Sequence, residues 1–297
     1  MDQSLAKLQD VYILSYFQAL GGARALMCAM LYKHGEHDQL VKVKFNPHDY
    51  NDLGSARSAL SATCFLSKAT FLTCKGVDPV ANARLRFSEA EAMCQATNRR
   101  FARSEFKNPL TAPVLLAMVR KIAHVLGDFD AEEFVEASNW GPGATTATPR
   151  RLACNPRKYE HEARISVDTY EFVKSWFHLA FPQWDVMFEI HGGSKIVFVD
   201  KDATTKRTII IGNGLETYFQ KGVGKKIRRR LKSIGIDLND QTHNQRKARL
   251  ASIFNDVATA DFSMASDCLA TWLVRETVPR DWFYVMDALR PKYGKEL

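Results

Sequence analysis

Strand-like patterns in this 297-residue chain appear only late, after about residue 186, and this order limits the fold more than any other feature. Before about residue 130 the apolar residues recur with helical spacing. Residues 10–33 read as one helix, and a second starts near Asp52, a plausible N-cap after the turn at Asn46-Pro47. FSEAEAMCQATNRRFARS at 87–104 places its acids first and its arginines last, as a helix dipole prefers. Pro109 and Pro113 frame LLAMVRKIAHVLG, which Gly127 ends. Only then do MFEI, SKIVFVDKD and TKRTIIIG follow, the last two reading as a hairpin across Asp202-Ala203-Thr204. Leading helices with a small late sheet predict an α+β fold, not an alternating βαβ one. With 46% apolar residues the chain can fill a core.

Between these regions, NWGPGATTATPRRL at 139–152 has few large apolar groups and reads as an ordered loop or linker outside the core. After the hairpin, Phe219, Val223, Ile227 and Leu231 recur every four residues, while Lys221, Lys225, Arg228, Arg229 and Lys232 fall elsewhere on the wheel. One face is expected to be buried and the other basic. DVATADF at 256–262 reads as a short buried strand that carries Asp261 to its end. A helix running through CLATWLVRETV follows, stopped by Pro279.

Charge is segregated. Lys195 to Arg249 holds fourteen Lys or Arg against five Asp or Glu, so the net +8 of the chain resides in about one fifth of it. Such a block suits a polyanion, and a solvated helix face accounts for it equally well. No apolar run approaches the ~20 residues of a membrane span, and MDQSLAKLQD does not read as a signal peptide. Six scattered cysteines form no C-x-x-C and read as reduced thiols. His34 and His37 read as a solvated helix end. No H-E-x-x-H, G-x-S-x-G or G-x-x-x-x-G-K pattern occurs.

The chemistry centres on ATADFSMASD at 258–267. A carboxylate at the tip of a buried strand is costly unless a cation meets it. Mg²⁺ suits it, being a hard ion that takes oxygen ligands and keeps water and phosphate as the others. Asp261 and the backbone carbonyl of Phe262 are the candidate ligands. Asp267, beyond a turn, could accept a hydrogen bond from a ribose hydroxyl, or it or Ser266 could simply cap the next helix. Upstream, Lys201, Lys206 and Arg207 offer phosphate-matched cations, although exposed hairpin loops are often basic. Facing carboxylate and cationic groups would suit phosphoryl transfer. Two other readings remain open on these residues: a non-catalytic RNA-binding module, and a metal-dependent phosphohydrolase.

TADFSMASDCLA at 259–270 with VPRDWFYVMDALRPKYG at 278–294, TYFQKGVGKKIRRRLKSIGIDLNDQTHNQRKAR at 217–249, and VDKDATTKR at 199–207 together resemble the replicases of single-stranded RNA bacteriophages. EAMCQATNRRF at 91–101 and WGPGAT at 140–145 agree less closely. The resemblance implies an RNA-directed RNA polymerase shaped as a right hand. Residues 1–138 would be a helical amino-terminal and fingers region, 139–255 fingers with the basic RNA-facing segment, and 256–297 the start of the palm. Asp261 resembles the first palm aspartate, which binds catalytic metal, and Asp267 the residue that senses the ribose. Lys201 and Arg207 resemble fingers residues that meet the triphosphate. Lys221, Lys225, Arg228, Arg229, Lys232 and Arg246 are the expected RNA contacts, and Asn244 and Gln245 would line the same approach.

The family also implies two Mg²⁺ ions, an RNA template and product, nucleoside triphosphates, and host translation elongation factors with a ribosomal protein. It implies the cytoplasm of an infected bacterium as the setting, with no membrane. In two places the chain departs from the family. Ile211-Gly212-Asn213-Gly214 stands where relatives carry an acid and a proline, and no Asp-Asp pair occurs anywhere. The later palm motifs and thumb are therefore expected to be missing, and the isolated chain is expected not to polymerise, because a second metal lacks its acids.

Overall fold

The computed structural model describes residues 3–161, 163–254, 257–258 and 260–296. The fold is α+β, dominated by helices, with two small sheets among the described residues. Two compact units are present. One comprises residues 1–86 with 198–209, and the other 87–197 with 210–297.

The first unit is a helical cluster. The stretch expected as one helix over 10–33 is two, Gln3–Leu20 and Gly22–Lys33. They part where Gly21 (φ 66°) and Gly22 (φ 81°) take left-handed conformations that an L side chain rarely adopts. The helix Leu53–Phe65 starts as expected, with the Asp52 carboxylate accepting from the Ser55 amide at 2.8 Å. Small Ala25, Ala59 and Ala62 let these helices approach, and Ile13, Phe17, Cys28 and Leu66 fill the space between them. The hairpin tip belongs to this unit. There, Asp202 accepts from the amides of Thr204 and Thr205 at 2.9 and 3.0 Å, which closes the turn.

The second unit has an aromatic core. Trp140, Phe177, Trp184, Tyr218, Phe219 and Trp282 are buried together and meet mostly edge to face, a geometry that adds ~0.5–1.5 kcal/mol per pair beyond area burial. The basic helix, Gly214–Ser233, runs through it. Phe219 and Val223 are buried and Ile227 packs against the cluster, as the four-residue spacing predicts. The strand Ser194–Asp200 lies between Lys206–Ile211 and Gly294–Glu296, and pairs in parallel with the latter from Ser194↔Gly294 to Ile196↔Glu296.

Three expectations are corrected here. The 139–152 stretch is a loop, but not a peripheral one: Trp140, Thr145, Thr146 and Thr148 are buried. Its small residues let it pass through the interior, because cations satisfy its carbonyls. Lys158 donates to the Gly141 and Gly143 oxygens at 2.7 and 2.6 Å, and Lys195 to that of Thr146 at 3.0 Å. Asn213 accepts from Thr146 Oγ1 at 2.7 Å and anchors the same loop. Second, the described residues at 257–258 and 260–262 form no strand, and Asp261 and Phe262 are exposed; Asp256 and Thr259 lie outside the described residues. Third, the helix expected through CLATWLVRETV is only Thr271–Thr277, because residues 263–268 are used in turns.

Candidate nucleotide and RNA site

The turn carrying Asp267 is held from a distance. Met264 takes φ 53° and its carbonyl accepts the Cys268 amide at 3.0 Å, so the chain doubles back on itself. From the helix Pro79–Ala102, the Cys94 thiol donates to the Asp267 carbonyl at 3.2 Å. Burial pushes that thiol's pKa up, assisted by the neighbouring Cys268, Glu91 and Asp267, so it stays a donor. Four residues along the same face, Asn98 Oδ1 accepts the Trp272 amide at 3.0 Å. Asn98 thereby takes the place of an N-cap for Thr271–Thr277, whose own N-cap position, Ala270, offers no side-chain oxygen.

This removes the helix-capping reading of Asp267 and Ser266. Neither Asp267 nor Ser266 caps the helix. The Asp267 carboxylate accepts only the Ser266 hydroxyl, at 3.2 Å, among the described residues. It faces a polar groove of about 690 Å³ shared with Ser88, Glu91, Gln95, Asn98 and Arg290. A carboxylate that the fold leaves with acceptor capacity can receive a ligand hydroxyl.

Asp261 is different. It is exposed, and the described residues hold no group of three or more His, Cys, Asp or Glu placed to bind a metal. Phe262 beside it is exposed as well. Just before them, Val257, Ala258 and Ala260 form one side of a groove of about 560 Å³, with Asn244, Gln245 and Lys247 on the other. In the first unit, Arg207 is exposed on the hairpin and Lys201 half-buried at its tip, while Lys206 is engaged by Asp200 at 2.8 Å.

The expected RNA face of the basic helix is largely engaged by the protein itself. Lys221 donates to the Trp140 carbonyl at 2.6 Å, Arg229 reaches Glu133 at 2.7 Å, and Lys232 reaches Asp237 at 2.9 Å. Arg246 pairs with Asp240 at 3.0 Å. Of the six cations, only Lys225 and Arg228 have neither an acid nor a backbone-carbonyl partner among the described residues. Sequence reasoning missed the centre of this arrangement. Lys226 is fully buried, with Nζ at 2.9 Å from Glu133 Oε2 and 2.6 Å from the Asp130 carbonyl, over the rings of Phe129 and Trp282. Four-residue spacing places it off the apolar stripe, and only the distant Glu133 reveals its role. Cys94 and Asn98 were equally unreadable, since their partners lie more than 170 residues away.

Residues 61–295 match the family described as RNA replicase, beta-chain. The chain belongs to that family. It is 32% identical over 236 residues to the RNA-directed RNA polymerase subunit beta of Escherichia virus Qbeta, covering 74% of this chain and 38% of that one. The corresponding subunit of Enterobacteria phage SP is 30% identical over 225 residues, covering 74% and 39%. Over a shorter stretch of 107 residues, the RNA-directed RNA polymerase beta chain of Enterobacteria phage fr is 42% identical, covering 36% and 20%. The chain thus spans about two fifths of the length of the first two relatives. No described helix is long and apolar enough to cross a membrane.

Proposed function

We propose that the chain contributes the nucleotide- and RNA-contacting part of an RNA-directed RNA polymerase. In that reaction a ribose hydroxyl of the growing strand attacks the α-phosphate of a ribonucleoside triphosphate, pyrophosphate leaves, and the template selects the base. The observation that carries this reading is Asp267, an aspartate in a replicase-family match, held on a turn whose helix is capped by another residue. Its carboxylate reads the ribose hydroxyl. Lys201 and Arg207 meet the triphosphate, and Lys225 and Arg228 stay available to RNA.

Residues 1–138 correspond to a helical amino-terminal and fingers region, 139–255 to fingers with the basic segment, and 256–297 to the start of the palm of a right hand. Mg²⁺ would neutralise charge on the phosphates, with Asp261 and the Phe262 carbonyl as two protein oxygens and phosphate and water as the others. Among the described residues no group of three His, Cys, Asp or Glu gathers there. The partners under this reading are template and product RNA, nucleoside triphosphates, and host elongation factors with a ribosomal protein, in the cytoplasm of an infected bacterium.

Equilibrium binding of GTP and dGTP with Mg²⁺ tests the assignment. Asp267→Asn is expected to reduce the preference for GTP about tenfold, the cost of one charge-assisted hydrogen bond. An unchanged preference in a variant that still binds GTP would remove Asp267 from ribose recognition.

A further inference from the structure

Short of the basic helix, a second cationic region lies at 150–157. Arg150 and Arg151 form an exposed 3₁₀ turn, Arg150–Leu152, and Arg157 is exposed on the helix Asn155–His161 that follows it. None of the three has an acid partner among the described residues. On the basic helix, by contrast, Arg229, Arg230 and Lys226 are all within ion-pair distance of Glu133, and of its arginines only Arg228 lacks an acid partner among the described residues.

The segment is also fixed. Tyr159 lies edge to face with Trp140 and Trp184, and its carbonyl accepts from Trp184 Nε1 at 3.1 Å. Lys158 is buried and grips the loop carbonyls of Gly141 and Gly143. Beneath that loop, Lys195 and Lys221 add two positive charges with no carboxylate partner among the described residues, since both donate to backbone carbonyls. Three exposed guanidinium groups therefore stand beside a loop whose carbonyls are held by buried and half-buried lysines. A polyanion with repeated single charges matches this surface. Guanidinium forks fit phosphodiester oxygens in pairs, and a preordered platform loses little side-chain and loop freedom on binding.

We infer that Arg150, Arg151 and Arg157 form a binding surface for the phosphodiester backbone of single-stranded RNA. The surface is separate from the cations of the basic helix. This inference rests on the RNA-polymerase reading for the identity of the polyanion. It goes beyond that reading in the residues it assigns.

The test is binding of an unstructured RNA of about 16 nucleotides, titrated across a range of salt concentrations. Three forms of the full chain are compared with the wild type. The first is Arg150→Gln/Arg151→Gln/Arg157→Gln. The second, Arg150→Lys/Arg151→Lys/Arg157→Lys, keeps the charge. The third, Lys68→Gln/Arg120→Gln/Lys121→Gln, removes the same charge from exposed positions elsewhere. Circular dichroism melts of each verify that the fold is retained. The glutamine variant is expected to bind about tenfold more weakly, with the slope of log K against log salt smaller by about 2, because each single-strand phosphate contact contributes about 0.7. The lysine variant keeps the slope, and the control keeps both affinity and slope. Equal weakening by the first variant and the control would overturn the inference in favour of diffuse attraction. If the wild type binds RNA and the glutamine variant binds it equally well, the surface is wrong and the RNA-polymerase reading stands. A wild type that binds no RNA would remove both. An acidic peptide that competes as well as RNA of equal charge would identify a protein partner and overturn the RNA assignment.

Discussion

The basic helix Gly214–Ser233 and the turn that carries Asp267 both stand out in the sequence for their charge, and the fold treats them in opposite ways. The helix is threaded through the aromatic core, and most of its cations are held by Glu133, Asp237 or backbone carbonyls. The turn is exposed, and its carboxylates at 261 and 267 keep almost all their acceptor capacity. Charge density in a sequence therefore does not locate a ligand. What locates it is the charge that remains after intramolecular partners are assigned, and this favours the two aspartates over most of the helix.

The comparison is broken most severely at Glu133. Glu133→Ala leaves Lys226 buried without its carboxylate, and unfolding in urea is expected to show a loss of about 3–5 kcal/mol. A loss under 1 kcal/mol would mean that the helix is not anchored by this pair. A smaller effect is expected on the same helix at Gly222, where an added Cβ would sit 2.3 Å from Ser138 Oγ and 3.0 Å from the Phe134 carbonyl. Gly222→Ala should cost about 1–3 kcal/mol by overpacking, read from the same urea curves.

On the turn, Asn98→Ala removes the acceptor for the Trp272 amide. The expected cost is about 1 kcal/mol, with faster hydrogen exchange at that amide as the direct readout. Asp261→Asn should change stability by no more than about 0.5 kcal/mol, since it touches an exposed site away from any packing.

The smallest effect is one of pH at the hairpin. Burial raises the Asp202 carboxyl pKa, but hydrogen bonds from Thr204 and Thr205 and the neighbouring Lys201 outweigh it, so the folded value lies below the ordinary one. Its contribution is complete above the unfolded carboxylate pKa and is lost as pH falls through the depressed folded value. Protection of the Thr205 amide should accordingly fall only on strong acidification. Loss of protection near neutral pH would contradict that order.

How much of this was legible in the sequence depended on whether the determining partner was local. The Asp52 cap, the buried spacing of Phe219, Val223 and Ile227, and the Gly127 stop each rest on neighbours within a turn or two, and each was readable. The loop at 139–152 was misread because its burial depends on Lys158, Lys195 and Lys221, whose carbonyl contacts no composition rule anticipates. The described residues 257–258 and 260–262 of the strand expected before Asp261 are not strand, because an apolar run carries no information about whether a pairing edge is at hand. Asp267 stands out in the sequence, but Asn98, which takes the capping role for the following helix, sits 174 residues before the amide it accepts.

Calorimetric titration of GTP into the chain, with and without Mg²⁺, against the same titration of Asp261→Asn at matched melting temperature, tests the central claim most directly. The account predicts Mg²⁺-dependent binding that Asp261→Asn abolishes while the fold stays intact. Identical Mg²⁺-dependent binding by both proteins would contradict it.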